Sequence, residues 1–136
     1  MANRHDVIIW DAEVHGAPDG FTTYTFEKVF TLINQEAEPS KKLLAFARDV
    51  EKNSQSNARV AQFFIDFEDR IKAAGTAAYC VSLPEYNCGD IVIILLKEAI
   101  KHGLALFDEQ LILLLLPNGT ILPENKRDAW LQILYP

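Results

Sequence analysis

Residues 90–122, DIVIILLKEAIKHGLALFDEQLILLLLPNGTIL, decide the fold because they hold a helix, its end and a set of strands in succession. The apolar run that begins at Ile91 predicts a helix that ends at Gly103. Lys101 and His102 complement the negative end of a helix, and glycine closes a helix in the left-handed conformation. This stretch therefore predicts a helix that leads directly into a sheet.

The second half of the same stretch predicts an antiparallel meander. Asn118-Gly119 is a strong hairpin signal between apolar segments. The predicted order is strand 104–107, turn 108–110, strand 111–116 and strand 120–122. Strand 111–116 is apolar on both faces, so we expect it at the centre of a sheet, and we expect the shorter strands near the edges.

The rest of the chain alternates helices and strands without a repeat or a low-complexity linker. Apolar residues spaced by three and four positions predict the helices, and Ser40 is a suitable N-cap for the second of them. The predicted elements are a strand 6–10, a loop 11–20, a helix 25–35, a helix that Ser40 begins and the polar stretch 53–57 ends, a helix that holds Val60 and Ile71 and ends before Gly75, a strand 77–83 and a final helix 124–134. The side chains expected to face the core include Phe26, Val29, Phe30, Ile33, Val60, Phe63, Phe64, Phe67, Ile71, Trp130, Ile133 and Leu134.

This order of elements predicts the α+β class. We expect a mixed, mainly antiparallel sheet with helices packed against it, in a single compact domain over residues 1–136. Strands 77–83 and 104–107, with the helix between them, form a candidate parallel crossover. With 136 residues, 49% of them hydrophobic, the chain has enough apolar material for one core.

Charge and hydropathy restrict the partners and the location. The net charge of -6 argues against nucleic acid as a partner, because a nucleic-acid surface needs a surplus of Lys and Arg. A basic protein partner fits the charge better. No signal peptide is recognisable at the N-terminus, and the longest apolar runs fall short of the about 20 residues that span a bilayer. We therefore expect no membrane partner and a cytoplasmic location.

Acidic residues and a histidine follow the first predicted strand, at Asp11, Glu13 and His15. Such a set could bind a divalent metal or exchange protons. A polar loop after a strand is more often only solvated, and no second ligand cluster with a known spacing follows. The sequence therefore predicts no metal site and no cofactor, and His102 is interpreted as a helix-capping residue.

Cys88 lies just before the helix at 91–102, where a thiol can become nucleophilic. The preceding loop supplies an acid, Glu85, rather than the cation that a thiolate prefers. No partner for Cys88 is recognisable from spacing, and His5 by itself indicates nothing. Cys80 and Cys88 are therefore interpreted as ordinary reduced thiols.

A short strand ending in Trp10-Asp11, together with the late block 99–110, AIKHGLALFDEQ, resembles small bacterial immunity proteins. These proteins are encoded beside polymorphic or contact-dependent toxins. The resemblance implies a single acidic cytosolic α+β domain that binds and blocks a cognate toxin, often a nuclease, without catalysis of its own.

Acidic side chains near aromatic ones are the candidate contacts for such a toxin, since charge steers association and aromatic rings supply affinity. The candidates are Trp10, Asp11, Tyr24, Glu36, Glu38, Asp66, Asp69, Tyr86, Asp108 and Glu109.

The sequence therefore predicts a non-catalytic protein-binding module that neutralises a toxin. Two alternatives stay open. One is a small metal-dependent hydrolase that uses Asp11, Glu13 and His15 together with Asp108. The other is a homodimeric structural or regulatory module whose apolar meander edge pairs with itself.

Overall fold

The computed structural model describes residues 5–18, 20 and 25–136, and its strands form one five-stranded sheet. The strand order is β2-β1-β3-β4-β5, and each neighbouring pair is antiparallel. The strands are β1 Asp6–Trp10, β2 Ala78–Ser82, β3 Ala105–Asp108, β4 Leu113–Leu115 and β5 Ile121–Leu122. Together with the helices, this sheet confirms the predicted α+β class.

The helices begin and end where local chemistry directs them. Ser40 Oγ accepts a hydrogen bond from Leu43 N at 3.2 Å and begins α3, and Gly103 ends α6 with φ of 66°. Both of these ends are as predicted. The helices are α1 Ala12–His15, α2 Thr25–Ile33, α3 Lys41–Asn53, α4 Ala58–Phe63, α5 Phe67–Ala74, α6 Cys88–His102 and α7 Arg127–Leu134.

The two faces of the sheet are covered unequally. Val7, Ile9 and Leu106 point to the face on which α3, α5 and α6 pack, which we call the helix-covered face. Ile8 and Phe107 alternate with them and point to the opposite face, where α2 supplies the covering side chains. We call this second side the α2 face. The larger core therefore lies on the helix-covered face.

The predicted helix that holds Val60 and Ile71 and ends before Gly75 is two helices in the structure. Asp66 has φ of 58°, in the left-handed region, and separates α4 from α5. The Glu51 side chain accepts a hydrogen bond from Phe67 N at 3.0 Å, so a residue of α3 caps the start of α5. The predicted buried stripe persists across the break, with Phe64 and Phe67 both in the core.

The predicted parallel crossover gives the correct relative direction of its two strands. It is wrong in making them neighbours in the sheet. Strands β2 and β3 both run antiparallel to β1, so they are parallel to each other, yet β1 lies between them. Among the described strands, no parallel ladder therefore forms. Strand β5 lies at an edge as expected, whereas the short β3 is the middle strand and β4 is one position off centre.

Two predicted core faces are partly on the surface. Phe26 and Phe30 are 44% and 51% exposed, because α2 turns Val29 and Leu32 toward the sheet instead. Ile133 of α7 is also exposed, while Leu134 is buried. No helix among the described residues has the length and apolar character needed to cross a membrane.

Candidate functional site

A thiol, an imidazole and a carboxylate meet at one end of the sheet. His5 immediately precedes β1, Asp108 ends β3 opposite Val7, and α6 begins at Cys88. The Cys88 Sγ lies 3.3 Å from His5 Nδ1, and His5 Nε2 lies 2.6 Å from Asp108 Oδ2. These three residues form a continuous hydrogen-bonded chain, which we call the thiol triad.

Asp108 is the buried end of the thiol triad. Its side chain is 0% exposed, and its Oδ1 accepts a second hydrogen bond from Leu111 N at 3.0 Å. Because a carboxylate only accepts, the proton is assigned to His5 Nε2, which leaves Nδ1 to face the thiol. Asp108 therefore fixes the orientation of the imidazole and presents no surface to a partner, contrary to its predicted role as a surface contact.

Cys88 rests in the thiol form. Burial raises the pKa of the Cys88 thiol, and the negative charge of Asp108 raises it further. Cys88 also opens α6, a helix of fifteen residues whose first N–H groups have no acceptor within the helix. Gly89 follows it, and a Cβ at Gly89 would have no heavy atom within 4 Å, so the approach beside the thiol is open.

A cleft of about 510 Å³ adjoins the triad, and we call it the thiol cleft. His5, Cys88 and Gly89 line one side of it, and Gln110 lies at its margin. The other lining side chains are apolar and come from α6, α7 and the β3–β4 turn: Val92, Ile93, Leu111, Trp130 and Ile133. The cleft therefore suits an apolar group placed next to the sulfur.

A second concavity, of about 200 Å³, lies on the α2 face, and we call it the aromatic groove. Phe26 and Phe30 stack with ring centroids 5.7 Å apart, and Phe26 lies 6.4 Å from Phe107. Carboxylates of Asp6 and Glu109 also line the groove. Aromatic side chains are enriched at surfaces that contact protein, and polar groups form the rim of such surfaces.

A third cluster ties α3 to α6. Asp49, Glu98 and His102 each offer a ligand atom, and these atoms lie within 4.8 Å of one another. Lys101 Nζ already lies 3.1 Å from Asp49 Oδ2 and 3.7 Å from Glu98 Oε1, and His102 Nε2 lies 2.8 Å from Asp49 Oδ2. The hydrogen bond from His102, with that from Lys101, lowers the pKa of Asp49. The ammonium group of Lys101 therefore occupies the position in which a metal cation would bind.

Glu98 is the buried member of this cluster. Asn53 Nδ2 donates to Glu98 Oε2 at 3.1 Å, whereas the buried Oε1 has no hydrogen-bond donor among the described residues. Glu98 and His102 are four residues apart on α6, a spacing that places two potential ligands on one helix face. That spacing is the signal by which the sequence could have revealed the cluster.

The loop predicted as an alternative metal site is structured differently. Asp11 is buried and accepts a hydrogen bond from Glu13 N as the N-cap of α1, and Glu13 pairs with Lys42 Nζ at 2.6 Å. Asp108 lies at the level of Val7, four residues back along β1 from Asp11, or about 13 Å. The structure therefore does not bring Asp11, Glu13 and His15 together with Asp108.

The predicted contact residues lie on separate surfaces. Trp10 is buried, and its Nε1 donates to Gly16 O at 2.8 Å, so the ring offers no surface to a partner. Glu109 is exposed and lines the aromatic groove. The Tyr86 ring lies under the guanidinium of Arg59, 5.1 Å away. The remaining acids are exposed in two pairs, Glu36 with Glu38 after α2, and Asp66 with Asp69 at the start of α5. Tyr24 lies outside the described residues.

Sequence reasoning missed the thiol triad because its members are far apart along the chain. His5 and Cys88 are separated by 83 positions, and only the pairing of β1 with β3 brings His5 beside Asp108. It also missed the aromatic groove, since the spacing of Phe26 and Phe30 on α2 is that of buried residues. No protein-family model matches the chain, and no match was found among curated proteins or solved structures.

Proposed function

We propose that this chain is a protein-binding domain of the immunity type, which binds and neutralises a basic cognate toxin in the cytoplasm. The aromatic groove is the observation that carries the proposal. Phe26 and Phe30 present two stacked rings to solvent, and Asp6 and Glu109 lie beside them. The resemblance of residues 99–110 to immunity proteins supplies the class of partner.

The groove has the composition of a binding hot spot. Aromatic side chains bury a large apolar area at a low entropic cost, and they dominate the energy of many interfaces. The acidic groups add selectivity for a partner that places Lys or Arg around an apolar anchor. The net charge of -6 also speeds the approach of a basic protein over a longer range.

The test is co-expression with the product of the adjacent reading frame, followed by measurement of Kd at low and high salt. We expect a stoichiometric complex that weakens as salt rises, because salt screens the charges on both partners. Phe30→Ala should raise Kd by more than about 10-fold. Ile65→Ala is the matched control, since Ile65 is an exposed apolar side chain that follows α4, away from the groove.

Charge-reversal variants test the contribution of the acidic groups beside the groove separately from that of the aromatic rings. Glu109→Lys should slow association at low salt and lose much of this effect at high salt. Asp128→Lys makes the same change of charge on α7 and serves as the control, since Asp128 is exposed and does not line the groove. The proposal fails if Phe30→Ala and Glu109→Lys both leave Kd unchanged. If the molecular mass of the chain alone doubles as its own concentration rises, the homodimer is favoured instead.

A further inference from the structure

We propose that Cys88 is a nucleophile that accepts acyl groups from esters with an apolar acyl chain, with His5 as its base and Asp108 as the positioning residue. This activity goes beyond partner binding and uses a different part of the molecule. The thiol triad lies on the helix-covered face, whereas the aromatic groove lies on the α2 face.

The order and the distances of the triad are those that an activated nucleophile requires. A nucleophile needs a base within hydrogen-bond reach, and that base needs a third group that orients it. Cys88 Sγ to His5 Nδ1 is 3.3 Å, and His5 Nε2 to Asp108 Oδ2 is 2.6 Å. The carboxylate is locked in turn by Leu111 N. Each group of the thiol triad is therefore held in position by a hydrogen bond to the next group.

The thiol cleft supplies the substrate class. Trp130, Leu111 and Val92 give it an apolar wall beside the sulfur, which suits a hydrocarbon acyl chain better than a charged one. Cys88 and Gly89, the first two residues of α6, line the cleft. Helix geometry leaves their N–H groups without acceptors inside the helix, so these groups can donate to the oxygen on which negative charge develops.

The reaction needs only the ester and water. His5 Nδ1 takes the proton from the thiol while the sulfur bonds to the carbonyl carbon, and the bond from that carbon to the leaving oxygen breaks. The leaving alcohol takes the proton from His5. Water then attacks the thioester with His5 as its base, which releases the carboxylic acid and restores the thiol.

Because Cys88 rests as a protonated thiol, it needs His5 as a base before it can attack an ester. Burial and the charge of Asp108 both keep the sulfur protonated, so a thiolate is not available in advance. Proton transfer to His5 forms the nucleophile at the moment of attack, and Asp108 stabilises the imidazolium that results. Removing the base should therefore slow acylation by about 100-fold or more rather than slightly.

The first experiment treats the full chain with p-nitrophenyl hexanoate and measures acylation of each cysteine by peptide mass spectrometry. Cys80 is an internal control, since both cysteines are partly buried. In the folded chain we expect Cys88 to react at least about 100-fold faster than Cys80. In urea the two thiols should react at similar rates. Similar rates in the folded chain would overturn the proposal.

Variants then assign the roles. Cys88→Ala should abolish acylation, and Cys80→Ala should leave it unchanged. His5→Gln keeps a donor for Asp108 but removes the base, so it should slow acylation of Cys88 by about 100-fold or more. Acylation of Cys88 at an unchanged rate in a folded His5→Gln chain would contradict the mechanism. If this variant fails to fold, the comparison of Cys88 with Cys80 decides the question.

The positioning role of Asp108 is tested separately from its role in folding. Asp108→Asn should lower the acylation rate at saturating ester and leave the half-saturating concentration unchanged, because Asp108 does not line the cleft. Trp130→Ala should raise the half-saturating concentration instead. An equal change of both constants in the two variants would show that Asp108 acts only by supporting the fold.

Discussion

Two histidine–carboxylate pairs, His5 with Asp108 and His102 with Asp49, have almost the same geometry and opposite surroundings. The nitrogen–oxygen distances are 2.6 Å and 2.8 Å. Asp108 is 0% exposed, whereas the Asp49 side chain is 30% exposed and also pairs with Lys101. The comparison shows that burial, rather than distance, decides what each pair does for the protein.

The physical reason is the competition with water. At the surface, water and salt replace a broken ion pair at little cost, and a second cation such as Lys101 can take over. In the interior, a carboxylate that loses its donor keeps the full cost of desolvation. The His5–Asp108 pair therefore orients its imidazole firmly, while the His102–Asp49 pair contributes one part of a surface network.

The largest expected effect is at the buried pair. Asp108→Asn places an amide where His5 Nε2–H and Leu111 N–H now donate to a carboxylate. We expect a loss of about 3 kcal/mol in the free energy of unfolding, because an amide offers one acceptor oxygen where two buried donors now bind a charged carboxylate. Urea denaturation measures this loss. A loss below about 1 kcal/mol would mean that water reaches Asp108 in solution.

A smaller effect is expected when the histidine is replaced. His5→Gln retains an N–H donor for Asp108 but loses the rigid ring, so we expect a loss of about 1 kcal/mol. The same urea titration measures it, and His102→Gln is the matched variant at the exposed pair. If the His102 variant were the more destabilised of the two, the contrast between the pairs would be wrong.

Asp49→Asn should have a still smaller effect, and that effect should depend on pH. The pKa of folded Asp49 is lowered, chiefly by the hydrogen bond from His102. Its contribution to stability is therefore full above the unfolded pKa of about 4 and is lost as pH falls through the lower folded pKa. The stabilities of wild type and variant should converge in acid and at high salt. A difference that grows in acid would contradict this sign.

The smallest effect is expected at Glu98. Among the described residues its buried Oε1 has no hydrogen-bond donor, so the hydrogen bond from Asn53 to Oε2 and the ammonium of Lys101 offset the desolvation of the charge only in part. Glu98→Gln keeps an acceptor for Asn53 and removes that charge, and we expect a change within about 1 kcal/mol. A much larger loss of unfolding free energy, measured by thermal or urea denaturation, would show that the ion pair of Glu98 with Lys101 stabilises the fold.

Features that depend on neighbouring residues could be predicted from the sequence. The end of α6 at Gly103 and the N-cap at Ser40 follow from local chemistry, and the structure confirms both. Features that depend on distant contacts could not. At the break at Asp66, Glu51 of α3 caps the start of α5, and Phe30 turns toward solvent because Val29 and Leu32 face the sheet.

In the candidate sites too, features set by neighbouring residues could be predicted and features set by distant contacts could not. The sequence predicts Glu109 as a contact residue because an acidic group suits a basic partner, and its contact with a partner stays a prediction, while the structure places it in the lining of the aromatic groove. Its neighbour Asp108 has the same charge and is buried, a difference set by the pairing of β3 with β1. Cys88 could be singled out from its place before a helix, but its partner His5 could not be found without the sheet.

The inner position of β1 has a consequence for how the chain folds. The strand is made early, yet both of its partners, β2 and β3, come from the second half of the chain. Its apolar residues therefore have no strand partner during synthesis until β2 has left the ribosome, and they lack the second partner until Asp108 has left it. Pairing with strands so distant along the chain is slow to form, and until it forms the nascent segment Val7 to Trp10 is exposed to aggregation or to capture by a chaperone.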